Sequence, residues 1–194
     1  LKAWKFREFN SGEGIAEKVF LPDYDDRDWL NIDIPGDVHD ALIQHGVIPD
    51  PFYDRNESLC RWMEDKTWWF RTIFDFPVQE LKNTERLLLN CYGLDTFATL
   101  YLNGEEIGKS NNMFLLFSAD IKKRIQTAEN NCLAIRFDPP DNHINSKLGW
   151  ESWGRNVERI HFRKAQFSYG WDWGPRLPGI GIWRPVELWQ QKKA

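Results

Sequence analysis

The sequence predicts an all-β fold, an antiparallel sandwich or jelly roll, on three observations. Strand-like runs of six to eight residues recur with turn signals about every ten residues. An Asn-Gly pair joins two of these runs, and helical spacing is confined to one short stretch, too little for a βαβ repeat. Residues 68–76 (Trp-Trp-Phe-Arg-Thr-Ile-Phe-Asp-Phe) are aromatic and β-branched, and period two puts Arg71 and Asp75 on one face. Residues 87–92 form a short buried run ended by Gly93. Residues 97–102 lead through Asn103-Gly104 into 105–108, a hairpin whose turn residues both tolerate positive φ. Residues 131–137 form a further strand, stopped by Asp138-Pro139-Pro140. Residues 182–189 form the last, with Pro185 pointing to an edge or a bulge. One short helix of about three turns is expected near residues 37–45. Gly36-Asp37 opens it, Val38, Ala41, Leu42 and His45 recur at helical spacing, and Gly46 stops it. Residues 141–155 are the most irregular long stretch.

The bulk properties suit one domain spanning residues 1–194. The chain is 42% hydrophobic and carries 29 acidic and 25 basic side chains, a formal net charge of −4. No apolar run of about 18 residues exists, which argues against a membrane span. The mild acidity argues against nucleic-acid binding, which relies on clustered Lys and Arg. Charge is uneven, with 15 acids and 7 bases in residues 1–65 but 4 acids and 8 bases in residues 150–194. Cys60, Cys91 and Cys132 are odd in number and lack metal-ligand spacing, so neither a disulfide framework nor a metal site is expected. Unpaired thiols, and an N-terminus without the order of a signal peptide, lean towards the cytoplasm. The start without Met reads as a fragment whose true beginning is missing.

The outlier is aromatic content, with 11 Trp, 13 Phe and 5 Tyr. Trp4, Trp29, Trp68, Trp69, Trp183 and Trp189 lie in or beside strand-like runs and are expected to fill a core; Trp62, Trp150 and Trp153 have no assignment. The Asp-rich stretch 23–28 fails as a calcium loop, with Arg27 at a ligand position and no central Gly, and reads as a solvated turn. His39, His45, His143 and His161 are scattered and build no triad. Gly179-Ile180-Gly181 lacks the surroundings of a phosphate loop. Asn56-Glu57-Ser58 fits a glycosylation sequon of low specificity. The segment 169–176, Tyr-Gly-Trp-Asp-Trp-Gly-Pro-Arg, is different in kind, because two indoles flank a single carboxylate between turn-forming glycines. A Trp face packs the apolar C–H face of a sugar, and a carboxylate accepts charge-assisted bonds from its hydroxyls. The same residues could equally be core fillers around a turn-capping Asp172.

Six segments together resemble the N-terminal domain of family 2 glycoside hydrolases, in the β-mannosidase branch. They are 35–42 (Pro-Gly-Asp-Val-His-Asp-Ala-Leu), 48–57, 68–71, the hairpin at 100–104, 169–176 and 181–186 (Gly-Ile-Trp-Arg-Pro-Val). They run from end to end in the family's order. The resemblance implies a galactose-binding-like jelly-roll sandwich that precedes immunoglobulin-like domains and a TIM barrel. It implies retaining exo-hydrolysis of a terminal β-mannoside by two glutamates about 5–5.5 Å apart. Both belong to the barrel, so no catalytic residue is named in this chain, and neither cofactor nor metal is implied. Asp172 is implied to bind hydroxyls of the terminal mannose, with Trp173 and Trp171 walling the pocket. The alternatives are a free-standing carbohydrate-binding module, or the same domain of an exo-β-glucosaminidase or β-galactosidase.

Overall fold

The computed structural model describes residues 1–125, 128–143 and 162–192. Trp150, Trp153 and His161 lie outside the described residues. The strands are β1 (Trp4–Phe9), β2 (Leu30–Ile32), β3 (Gly36–Asp37), β4 (Thr67–Phe74), β5 (Thr84–Cys91), β6 (Leu94–Asp95), β7 (Ala98–Leu102), β8 (Glu105–Ser110), β9 (Phe117–Asp120), β10 (Asn131–Phe137), β11 (Gly181–Ile182) and β12 (Val186–Lys192). They form an antiparallel six-stranded sheet, β2-β1-β4-β10-β7-β8, and two three-stranded sheets, β3-β11-β6 and β12-β5-β9. The expected sandwich is therefore present. Its main core lies where alternate residues of the large sheet (Trp4, Phe6, Trp68, Phe70, Leu133, Ile135) meet Leu87, Leu89 and Val186 of the smaller one. No helix among the described residues is long and apolar enough to cross a membrane.

The outer face of the large sheet is also covered, which explains why β4 is buried along 67–72. Trp69, Cys132 and Ala134 point away from the main core and pack with Val19 and Trp29 in a second cluster, beneath residues 10–29. Arg71 holds that cover in place. Its guanidinium, 1% exposed, donates to Asp26 Oδ2 at 2.9 Å and to the carbonyls of Val19, Leu21 and Tyr24, and lies 5.5 Å from the Tyr24 ring centroid. A buried cation is tolerated only when its donors are matched in this way. The Asp-rich stretch is thus more than the solvated turn expected. Asp26 also accepts from Lys5 at 2.9 Å. Burial alone would push its carboxyl up, but the bonds from Arg71 and Lys5 hold it below its ordinary value. Asp75 lies just past β4 and accepts the Asn130 amide at 2.9 Å.

The hairpin forms as its sequence requires, with Asn103 at φ 51° and Gly104 at φ 89°. The helix (Val38–Gln44) has seven residues rather than about three turns. Asp37 caps its start by accepting the His39 amide at 2.7 Å. Gly46 (φ 68°) ends it in a Schellman arrangement, with the Val47 amide bonded to the Leu42 carbonyl at 2.9 Å. Single-turn helices at Glu13–Ala16, Glu57–Cys60 and Val78–Leu81, too short for periodicity to register, were not expected. The last strand is interrupted: residues 183–185 separate β11 from β12, and Pro185 marks a change of sheet rather than a bulge.

The tryptophans divide accordingly. Trp4, Trp29, Trp68 and Trp69 are buried as expected, whereas Trp183 is half-buried and Trp189, on the outer strand β12, is 55% exposed. Trp62 packs on Trp68 at 5.9 Å between centroids. All three cysteines are free and buried. The Asn56 amide of the sequon donates to the Asp50 carbonyl at 2.9 Å.

Candidate functional site

Residues 164–180 leave the sandwich and return to it as one loop closed at several levels. At its root, the Lys164 ammonium donates to Asp95 Oδ2 at 2.5 Å and to the Gly179 carbonyl, so one side chain joins the first and last parts of the loop. Asp95 belongs to β6, which pairs with β11, and its other oxygen accepts the Thr96 hydroxyl. On the far side of β11, Asp37 Oδ2 accepts the Ile180 amide at 2.7 Å while Oδ1 meets His39 Nδ1 at 2.8 Å. The three short strands of this sheet thus serve as the loop's seat. The Gly179-Ile180-Gly181 triplet, rejected above as a phosphate loop, is part of that seat.

Higher up, a 3-10 turn (Gln166–Tyr169) buries Tyr169, and the Leu177 amide bonds the Ser168 carbonyl at 2.9 Å. The chain then narrows to a tight turn in which Trp171 and Gly174 exchange backbone bonds of 3.0 and 3.4 Å. Asp172 and Trp173 occupy the two tip positions. Gly170, at φ 78° and ψ 173°, permits the approach: this backbone region is essentially restricted to glycine, and a Cβ there would stand 3.0 Å from the Arg176 amide nitrogen. Gly170→Ala is expected to cost about 1–3 kcal/mol of unfolding free energy. Urea denaturation checks this, and an unchanged midpoint would show that the turn does not need the glycine.

At the neck, Arg176 forms a two-pronged pair with Glu64, with nitrogen–oxygen distances of 3.1 and 2.5 Å to Oε2, and stacks over the Tyr169 ring at 5.0 Å. The result is a braced hairpin that carries its tip into solvent. Trp171 and Trp173 are 64% and 85% exposed, so they are not core fillers. Asp172 is exposed as well and makes no hydrogen bond or ion pair among the described residues, so it is not a turn cap. Both indoles wall an open groove of about 890 Å³ with Phe52, Phe167, Pro175 and Leu177, while Asp172 stands outside that wall.

The three residues singled out from the sequence are therefore brought together at one tip. Phe52 and Phe167 were missed as lining residues; Phe52 sits in a segment that carried the resemblance, and Phe167 adjoins another. Glu64 had no sequence signal, because its partner lies 112 positions away. A carboxylate between exposed ring faces can accept hydrogen bonds from hydroxyls while the rings cover C–H surfaces, which is the chemistry of saccharide binding. Further apolar surface lies beside the root of the loop. Phe114, Leu115 and Leu116 are exposed and follow Met113, whose amide bonds the Arg163 carbonyl at 2.9 Å just before the loop begins.

The comparisons with known proteins agree on one family. A family model described as glycosyl hydrolase 2 galactose-binding domain-like matches residues 4–184. Beta-mannosidase B of Thermothelomyces thermophilus is 38% identical over 193 residues, covering 95% of this chain and 21% of that protein. Beta-mannosidase B of Emericella nidulans is 36% identical over 169 residues, covering 82% of this chain and 20% of its own length. The crystal structure of a beta-D-mannosidase from Dictyoglomus thermophilum superimposes with a TM-score of 0.83 at 33% identity, over 99% of this chain and 22% of that one. An exo-chitosanase from Amycolatopsis orientalis shares the fold at a TM-score of 0.70 and 19% identity, over 99% of this chain and 20% of that one. The chain spans about a fifth of the length of the curated relatives it matches.

Proposed function

The chain belongs to the glycosyl hydrolase 2 galactose-binding domain-like family, and on that premise we propose that it is the N-terminal, sugar-contacting domain of a retaining exo-β-mannosidase. The observation that carries this reading is the braced tip: Asp172 stands exposed between Trp171 and Trp173, without a hydrogen bond or ion pair among the described residues, on a loop tied to the sandwich at its root and neck. In this role Asp172 accepts hydrogen bonds from hydroxyls at the closed end of the terminal mannose. Trp173 and Trp171 flank the ring, and the two catalytic glutamates come from a barrel further along the polypeptide. Contacts of this kind fix the sugar for attack and restrict the enzyme to chain ends. The partners are then the β-mannoside and the immunoglobulin-like and barrel domains of the same polypeptide. The exposed Phe52, Phe114, Leu115, Leu116 and Phe167 are suited to burial against the latter. The free thiols support a cytoplasmic location.

A half-site should bind poorly by itself. Titration calorimetry of the isolated 194-residue chain with mannose or mannan is expected to give dissociation constants weaker than about 1 mM, because most contacts come from elsewhere. Micromolar affinity would overturn the reading in favour of a free-standing binding module.

A further inference from the structure

Lys164 ties the hairpin to the sandwich at its root, and the Arg176–Glu64 pair ties it at its neck. We propose that Glu64 sets the angle at which the tip leaves the body: acting through Arg176, it is the positioning residue for Asp172. This inference rests on the functional reading above.

Glu64 is well placed for the task. It sits in the 3-10 helix Arg61–Asp65, whose Met63 side chain is wholly buried and whose Met63 carbonyl accepts the buried Trp68 indole N–H at 3.0 Å. Its backbone is therefore held in the main core. The carboxylate and guanidinium are 19% and 17% exposed, so the pair is largely removed from water and screened less than a surface bridge. Arg176 Nε reaches both carboxylate oxygens at 3.1 Å and a terminal nitrogen meets Oε2 at 2.5 Å, a fork that fixes direction as well as distance. The buried Tyr169 ring backs the guanidinium on another side. The Arg176 backbone faces Gly170 across the neck, four residues from Asp172. A small rotation at the neck is thus magnified at the tip, and displacements near 1 Å are enough to lower turnover severely.

The test uses the full-length polypeptide and an aryl β-mannoside, with thermal unfolding followed in parallel. Glu64→Gln keeps the shape but removes the charge, and Arg176→Lys keeps the charge but loses the fork. Each is expected to lower kcat/KM about tenfold, mainly in kcat, in assays run well below Tm; Glu64→Gln also lowers Tm, because it removes the carboxylate's charge from beside a largely buried guanidinium. The deciding measurement is Glu64→Gln placed on Asp172→Ala. If Glu64 acts through Asp172, it causes no further loss on that background. The proposal is overturned if Glu64→Gln leaves kcat/KM within twofold of wild type, or if its loss multiplies with that of Asp172→Ala. Should Asp172→Ala alone prove silent, it is the functional reading that fails, a result visible before any double variant is made.

Discussion

Asp172→Ala in the full-length polypeptide is expected to lower kcat/KM for an aryl β-mannoside at least ~10²-fold, with no loss of folding stability. On the proposed reading the magnitude follows from charge-assisted bonds to sugar hydroxyls that strengthen as the ring distorts towards the transition state, worth about 2.7 kcal/mol or more. The lack of a stability cost follows from the geometry. Asp172 caps no turn and pairs with no cation among the described residues, so its removal leaves nothing unsatisfied. Asp172→Asn, which keeps an acceptor but loses the charge, should fall between the two. Steady-state kinetics beside a melting curve measures both halves of the expectation, and near wild-type turnover would remove Asp172 from the site.

Lys164→Met should have the opposite signature, a large loss of stability. The ammonium is 2% exposed and its Asp95 partner 10%, and taking one member from a buried pair costs about 3–5 kcal/mol because the other is left charged in a dry setting. The pH dependence sharpens the test. Burial pushes the Asp95 carboxyl above its ordinary value of 3.8, and Lys164 and Thr96 oppose this only in part. Without Lys164 the carboxyl rises further. Between the unfolded and the raised folded value the native state then holds more protons than the unfolded one, so stability falls as pH rises through that window. The penalty of Lys164→Met is therefore largest near neutrality and shrinks on acidification. Urea denaturation at pH 5 and pH 7.5 reads this directly, and a penalty that stays flat or grows in acid would refute it. Asp95→Asn on the same background should recover stability at pH 7.5.

Much of this molecule was legible in its sequence, for local reasons. The strand at 131–137, the Asn103-Gly104 hairpin and the caps of the short helix rest on period, turn chemistry and capping, all of which act within a few residues. The Trp-Asp-Trp tip was legible because its members are adjacent. What escaped was set by distant partners. Trp189 looks like a core residue until β12 proves to be an outer strand. Asp26 looks like one of several solvated acids until Arg71, 45 positions away, claims it. Glu64 offers nothing to periodicity or motif, since its importance comes from Arg176 alone. The buried run at 67–72 hid a second covering layer, as a strand covered on both faces loses its alternation.

The buried thiols have a practical consequence. Burial pushes Cys91 to about 12 and Cys132 to about 11, and raises Cys60 too, so all three are poorly disposed to form thiolates at neutral pH. They are the only cysteines in the sequence. A single cysteine introduced at Trp173, 85% exposed at the hairpin tip, would then be the one fast-reacting thiol in the chain. A fluorophore or spin label placed there reports the tip's motion without any prior removal of native sulfur. The same sandwich that braces the loop leaves it open to selective labelling.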